Sequence, residues 1–115
     1  MTVLPIRIYG DPVLRQVARE IPLDDWVQRL AADMIETMYD APGRGLAAPQ
    51  LGEPPRLFVM DCHWKDGVAK APQVFINPSF VERSDDQAVN EEGCLSIPGV
   101  PVDVSRPASV IMRWT

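Results

Sequence analysis

Proline constrains the fold of this chain more than any other residue type, because 12 of its 115 residues are proline, spread along the chain. This share is about twice the ~5% that is usual in proteins. Each proline fixes its own φ angle and lacks a backbone N–H, so it interrupts helices and central strands. The pattern predicts short elements joined by fixed turns and argues against a helical bundle.

One helix and several short strands are predicted between the prolines. Asp24 is a suitable N-cap for a helix over residues 25–39, and Asp11-Pro12 can open a shorter helical turn. The apolar residues of the longer helix recur at three- and four-residue spacing, so one face should be buried. These residues are Val27, Leu30, Ala31, Met34, Ile35 and Met38.

Extended segments follow the helix. The predicted strands are residues 56–61, 73–76, 79–82, 100–104 and 109–115, with residues 83–90 as a polar loop. The predicted fold class is therefore α+β, with an N-terminal helix packed on short, mostly antiparallel strands. Residues 1–115 are expected to form a single domain.

Composition limits the partners and the compartment. The net charge of −5 argues against nucleic acid or an anionic membrane as the main partner. No stretch approaches a transmembrane span, and the N-terminus has no signal-peptide pattern. The two cysteines, Cys62 and Cys94, do not make a disulfide scaffold, so we expect a protein of the reducing cytoplasm without a Cys62–Cys94 bond.

Cys94 lies in the stretch that is best suited to chemistry, Glu-Glu-Gly-Cys-Leu-Ser-Ile-Pro-Gly at residues 91–99. Gly93 has no side chain to block the approach of the thiol to backbone amides. The thiol could be an inert buried group, a nucleophile or a metal ligand. A nucleophile needs a base, and the only histidine, His63, has no spacing that links it to Cys94.

A metal site and a thiol-protease-like site both remain open from the residues alone. A hydrolytic metal site generally has three protein ligands and an open position for water. Cys94 is the one convincing ligand, and Glu91 and Glu92 are weaker candidates because adjacent carboxylates usually face solvent or pair with a basic residue. In the alternative, Cys94 and His63 would react while Gln50 donates to an oxyanion.

A second stretch, Gly-Arg-Gly-Leu-Ala-Ala-Pro-Gln at residues 43–50, matches the loose dinucleotide fingerprint G-x-G-x-x-A. That fingerprint needs a preceding strand and a following helix, whereas here a helix precedes and Pro49 follows. A loop-to-strand turn, with glycines at positive φ, is favoured instead. Gln50 is either a solvated loop residue or an amide that donates to a developing oxyanion.

Together the two stretches resemble the first two signature motifs of the peptide deformylases, metal hydrolases that remove the formyl group from new protein N-termini. Residues 9–15, Tyr-Gly-Asp-Pro-Val-Leu-Arg, and residues 76–78, Ile-Asn-Pro, add to the resemblance. It implies that Cys94 is a thiolate ligand of one divalent metal, typically Fe(II), with Zn, Ni or Co able to substitute. It also implies that the Gln50 side-chain amide and the Leu95 backbone N–H are the oxyanion donors.

The resemblance also implies a substrate site for N-formyl-methionyl nascent peptides. Gly45 would meet the peptide through its backbone, and the peptide would bind extended, as an added strand. Glu92 would hold the Cys94 turn and Arg106 would pair with Glu92. The other residues implied at the substrate site are Gly43, Arg44 and Gly93.

The sequence departs from the family pattern in two respects. Arg44 stands where the family usually has an apolar residue, and the third motif, a helical His-Glu-x-x-His, is absent from the 115 residues. Because the chain ends in an apolar strand, we expect part of a deformylase that is cut before its catalytic helix and is inactive alone. The alternative is a non-catalytic short form that binds peptide N-termini.

Overall fold

The computed structural model of the protein describes residues 2–115, which contain one α-helix, three short 3₁₀ helices and seven strands. The α-helix is α1 (Asp25–Asp40), and the 3₁₀ helices are Pro12–Arg15, Ala48–Leu51 and Trp64–Asp66. The strands are β1 (Gly45–Ala47), β2 (Leu57–Met60), β3 (Gln73–Ile76), β4 (Ser79–Arg83), β5 (Gln87–Cys94), β6 (Ile97–Pro107) and β7 (Val110–Arg113). Every strand pairing is antiparallel, so the predicted α+β class is confirmed.

Helix α1 begins where the sequence predicts and ends one residue later than predicted. The Asp24 carboxylate accepts the Val27 N–H at 3.0 Å, which satisfies one of the donors left free at a helix start. Ile35, predicted on the buried face, is only partly buried, while Thr37 is fully buried. Thr37 can be buried because its hydroxyl donates to the Asp33 carbonyl at 2.7 Å and accepts the Leu4 N–H at 2.9 Å.

The core lies between α1 and a three-stranded sheet in the order β1-β2-β3. Leu46 pairs with Val59 in this sheet, and both side chains are buried against the helix. The strand order leaves one edge of β1 without a partner in the sheet, and Gly45 on that strand is exposed. A short strand with a free edge is a place where an extended peptide can add.

Two further two-stranded sheets follow, β5 with β6 and β4 with β7. Residues 87–90, predicted as part of a polar loop, are instead the first half of β5, and β6 is longer than predicted at both ends. The prediction was wrong because the two-stranded β5–β6 sheet exposes most of its residues on both faces. Its sequence therefore has no alternation of apolar and polar residues that would identify a strand. Prolines fit in β6 because only one of its edges is paired.

The β4–β7 sheet carries apolar side chains that are largely exposed, among them Phe80 and Ile111, each at 56%. Trp114 beyond β7 packs edge-on against Phe75, with ring centroids 4.9 Å apart, and the Thr115 N–H donates to the Ile76 carbonyl at 2.8 Å. The end of the chain is thereby attached to the first sheet. No helix within residues 2–115 is long and apolar enough to cross a membrane.

Candidate active site

The two motif stretches, far apart in sequence, meet in an open groove with a volume of about 760 Å³. Its walls come from the turn after α1, from β1, from the Cys94 turn and from the start of β6. The lining includes Gly43, Arg44, Gly45, Gln50, Gly93 and Cys94. The predicted site residues Glu92 and Arg106 lie outside this lining, on the β5–β6 hairpin that carries Cys94.

The Gln50 side chain is held in one orientation. Gln50 lies in the Ala48–Leu51 3₁₀ helix, where Pro49 fixes the first turn, and its Oε1 accepts the Ala47 N–H at 3.0 Å. Because the amide oxygen is occupied in this way, the amide nitrogen must face the groove. The Nε2 atom lies 3.7 Å from Cys94 Sγ and 3.1 Å from Ser96 Oγ.

Ser96 is a site residue that the sequence reasoning missed. Its side chain is buried at 3% exposure, and its hydroxyl accepts a hydrogen bond from Gln50 Nε2. Ser96 lies between Leu95 and Ile97, and a serine that is buried among apolar residues almost always has a hydrogen-bond partner. This placement was the signal in the sequence that could have identified Ser96. Ser96 contributes to positioning the Gln50 amide beside the Cys94 thiol.

The N-terminal segment joins the two motifs through its backbone. The Arg7 N–H donates to the Gln50 carbonyl at 2.6 Å, and the Tyr9 N–H donates to the Ser96 carbonyl at 2.7 Å. Residues two apart in an extended segment present their N–H groups to the same side. The segment therefore bridges the Gln50 turn and the Cys94 turn.

Cys94 is the last residue of β5, and its pair with Ile97 closes the β5–β6 hairpin around a two-residue turn of Leu95 and Ser96. The thiol is exposed to the groove, and neither Cys94 nor Cys62 forms a disulfide. The Leu95 N–H lies in the turn and so falls outside the ladder between Cys94 and Ile97. The thiol, the Leu95 N–H and the Gln50 amide thus share one small region.

Glu92 and Arg106 form a bidentate ion pair on the same hairpin, with Nε–Oε2 and Nη2–Oε1 distances of 2.6 and 2.7 Å. The Arg106 hydrogen bond holds the pKa of the Glu92 carboxyl below its usual value, and the same bond raises the pKa of Arg106. Arg106 lies opposite Ala88, so its side chain reaches along the hairpin to Glu92. The pair ties β5 to β6 next to the Cys94 turn.

A family model, described as polypeptide deformylase, matches residues 3–115. The chain belongs to the polypeptide deformylase family. It is 52% identical over 115 residues to the peptide deformylase of Brucella suis, covering 99% of this chain and 65% of that relative. The chain therefore spans slightly less than two thirds of that deformylase.

Solved deformylase structures have the same fold. The peptide deformylase of Thermotoga maritima aligns with a TM-score of 0.89 at 39% identity, over 99% of this chain and 74% of the other. A class I type b peptide deformylase from Acinetobacter baumannii, solved with Met-Ala-Ser bound, aligns with a TM-score of 0.87 at 29% identity, over 98% of this chain and 76% of the other. The predicted deformylase-like fold is confirmed by these alignments.

The structure contradicts the two alternative site predictions, a dinucleotide site at residues 43–50 and a thiol-protease-like pair of Cys94 and His63. The glycine-rich stretch follows a helix and opens the short strand β1, so it lacks the strand–turn–helix order of a dinucleotide site. His63 Nδ1 lies 3.5 Å from Asp66 Oδ2, and His63 lines a separate cavity with Cys62. His63 is therefore not arranged as a base for Cys94.

The glycines of this deformylase motif are needed for a different reason from the one predicted. The positive-φ glycines are Gly10, Gly52, Gly67 and Gly99, so the expectation of positive φ at Gly43 and Gly45 was wrong. A Cβ atom on Gly43 would lie 2.7 Å from Leu95 Cδ1, whereas one on Gly45 would meet nothing closer than the Val59 carbonyl at 3.8 Å. Gly43 thus permits the close packing of the two motifs, and Gly45 leaves the β1 edge open.

The donor set described here fits a deformylase metal only in part. Within residues 2–115, no group of three or more His, Cys, Asp and Glu side chains could hold a metal ion. Cys94, with its exposed thiol on the groove, fits one ligand position. Glu92, the other candidate beside it, already binds Arg106 with both carboxylate oxygens.

Proposed function

We propose that this chain forms the substrate groove and the oxyanion-binding part of an enzyme that hydrolyses N-formyl-methionyl peptides to formate and free N-termini. The observation that carries the proposal is the fixed Gln50 amide, whose oxygen is held by the Ala47 N–H and whose nitrogen lies 3.7 Å from Cys94 Sγ. Membership of the deformylase family, whose model matches residues 3–115, supports the same reaction.

In this reaction, attack on the formyl carbon turns the formyl oxygen into an oxyanion. The Gln50 side-chain N–H and the Leu95 backbone N–H would donate to that oxyanion. Donors that are fixed before the reaction stabilise the transition state without reorganising, and each is worth about 3–4 kcal/mol of barrier in other oxyanion holes. An amide can serve here at any physiological pH because it does not titrate.

Cys94 would hold a divalent metal, for which Fe(II) is the first candidate and Zn, Ni or Co are substitutes. A metal of this kind, when bound, supplies hydroxide at neutral pH by lowering the pKa of its water. Hydrolytic sites usually need three protein ligands, and the described residues fit one of these positions. We therefore expect residues 2–115 by themselves to have little or no hydrolytic activity.

The peptide would bind extended along the free edge of β1, where Gly45 is exposed and lines the groove. Main-chain hydrogen bonds to a strand edge accept any sequence, which suits an enzyme that must process many nascent chains. The deformylase of Acinetobacter baumannii, which binds Met-Ala-Ser, supports a peptide as the occupant. Nascent chains of this kind would place the protein in the cytoplasm.

Formate release from a formyl-methionyl peptide tests the proposal. The 115-residue chain with each added metal should release no more formate than the metal alone, and appreciable hydrolysis would contradict the incomplete ligand set. In a catalytically active protein that contains this chain and a complete set of metal ligands, Gln50→Ala should lower kcat about 10²-fold or more, from the precedent of other oxyanion donors. A near-normal rate for that variant would remove Gln50 from the mechanism.

A binding role without turnover is the second candidate. The observation that favours it is an intact groove beside a donor set that fits one ligand position. Such a protein would bind peptide N-termini with an affinity that ignores the formyl group and added metal. Affinity that depends on the formyl group would instead favour the enzyme.

A further inference from the structure

Two basic side chains, Arg44 and Lys65, line the groove, and no carboxylate residue is among its lining in residues 2–115. The charge of the groove lining is therefore positive, whereas the chain as a whole has a net charge of −5. A local reversal of this kind attracts groups of the opposite charge and can select among binding partners. The groove is therefore suited to acidic groups in its occupant.

Both basic residues are held at the groove by neighbouring contacts. Arg44 directly precedes β1, and its backbone carbonyl accepts the Asp61 N–H at 2.9 Å. Lys65 lies in the Trp64–Asp66 3₁₀ helix, which is fastened to the groove wall because Trp64 Nε1 donates to the Gly43 carbonyl at 2.9 Å. These contacts hold the backbone of both residues at the wall of the same groove.

Asp66 does not line the groove, but its carboxylate partly neutralises the positive charge of Arg44. Its Oδ1 lies 3.2 Å from Arg44 Nη2, and the two side chains are 52% and 50% exposed. An exposed pair of this kind is weak, typically about 0.2–1 kcal/mol, so a second carboxylate can compete for the guanidinium. Arg44 donates through five N–H groups and can bind two carboxylates at once.

We infer that Arg44 and Lys65 make the groove prefer formyl-methionyl peptides with acidic side chains at the residues directly after the methionine. This inference rests on the peptide-binding function proposed above. The open groove keeps the new ion pairs exposed, so each should be weak. We expect the acidic peptide to bind about two- to five-fold more tightly than its neutral counterpart.

The test measures binding of three peptides by the 115-residue chain at low ionic strength. Each is a formyl-methionyl peptide with Glu, Gln or Lys at the second and third positions, and each has an amidated C-terminus so that no terminal carboxylate competes. Affinity should fall in the order Glu, Gln, Lys. High ionic strength should remove most of the differences, because exposed charges are screened by salt.

Variants assign the preference to particular residues. Arg44→Gln and Lys65→Gln should each reduce the Glu-over-Gln ratio, whereas Arg29→Gln, the same charge change on the exposed side of α1, should leave the ratio unchanged. Asp66→Asn should raise the ratio, because Arg44 then loses its carboxylate partner. All four positions are exposed, and circular dichroism checks that each variant folds.

The outcomes separate this inference from the function on which it rests. Binding of all three peptides with equal affinity would overturn the charge preference and leave peptide binding in place. A preference that Arg44→Gln and Arg29→Gln weaken equally would also overturn it, because the effect would then come from overall charge. Failure of every peptide to bind would overturn both the preference and the proposed function.

Discussion

Alanine at Gly43 should destabilise the fold, whereas alanine at Gly45 should leave the fold intact and weaken binding in the groove. The Gly43 Cβ would lie 2.7 Å from Leu95 Cδ1, about 1 Å inside an ordinary carbon–carbon contact, and Met38 O at 3.5 Å limits retreat on the other side. Overpacking typically costs about 1–3 kcal/mol. Alanine recovers about 0.4–1 kcal/mol of chain entropy where φ is not positive, so Gly43→Ala should lose about 1 kcal/mol.

Gly45→Ala is the matched control, because its Cβ meets only the Val59 carbonyl at the ordinary distance of 3.8 Å. This variant should be as stable as the parent or up to about 1 kcal/mol more stable. Its new methyl group nevertheless lies on a residue that lines the groove, so it should weaken binding of a formyl-methionyl peptide. Urea unfolding followed by circular dichroism gives both stabilities, and a titration gives the peptide affinity.

The pair of variants can refute this reasoning in two ways. If Gly43→Ala is as stable as the parent, the close packing of Gly43 on Leu95 does not constrain the fold. If Gly45→Ala loses more than about 1 kcal/mol, the open space at β1 is absent from the folded protein in solution.

Three further predictions concern the elements around the groove. Asp24→Ala removes the cap on Val27 N–H and should cost about 1 kcal/mol in urea unfolding, whereas Asp25→Ala, which removes no recorded cap, should cost less; equal losses would contradict the capping role. Ser96→Ala should cost about 1 kcal/mol and loosen the Gln50 amide, seen as changed side-chain NH₂ signals in NMR spectra; unchanged signals would remove Ser96 from the positioning of Gln50. The Glu92 ion pair lowers that carboxyl's pKa, so its stabilisation is complete above the unfolded value and is lost as pH falls through the folded value. The stability difference between the parent and Arg106→Gln should therefore shrink below about pH 4.5, and a difference that grows there would contradict the pairing.

The sequence predicted the elements that carry strong local signals. Asp24 and the spacing of apolar residues located α1, and two apolar runs, residues 56–61 and residues 73–76 before Asn77, located β2 and β3. The sequence could not locate the start of β5, because a ribbon exposed on both faces has no buried face to impose a pattern. The 3₁₀ helix after β1 was missed because three or four residues are too few to show a period.

The candidate site likewise has features that the sequence predicted and features that it could not predict. The resemblance identified Gln50, Cys94 and Leu95, and the folded chain brings these residues to one groove. The backbone bonds from Arg7 and Tyr9 were not predictable, because a main-chain N–H is present at every non-proline residue and carries no side-chain signal. The role of Gly43 also depends on a contact between residues distant in sequence, which local conformational preference cannot reveal.

The most direct test of the central claim is an NMR titration of the labelled chain with formyl-Met-Ala-Ser amide and with the same peptide lacking the formyl group. The oxyanion donors proposed here are the Gln50 side-chain amide and the Leu95 N–H. We predict that both signals shift on binding and shift more with the formyl peptide, together with the signal of Gly45 at the strand edge. Shifts that fall elsewhere, or that are identical for the two peptides, would contradict the assignment of this groove to formyl-peptide recognition.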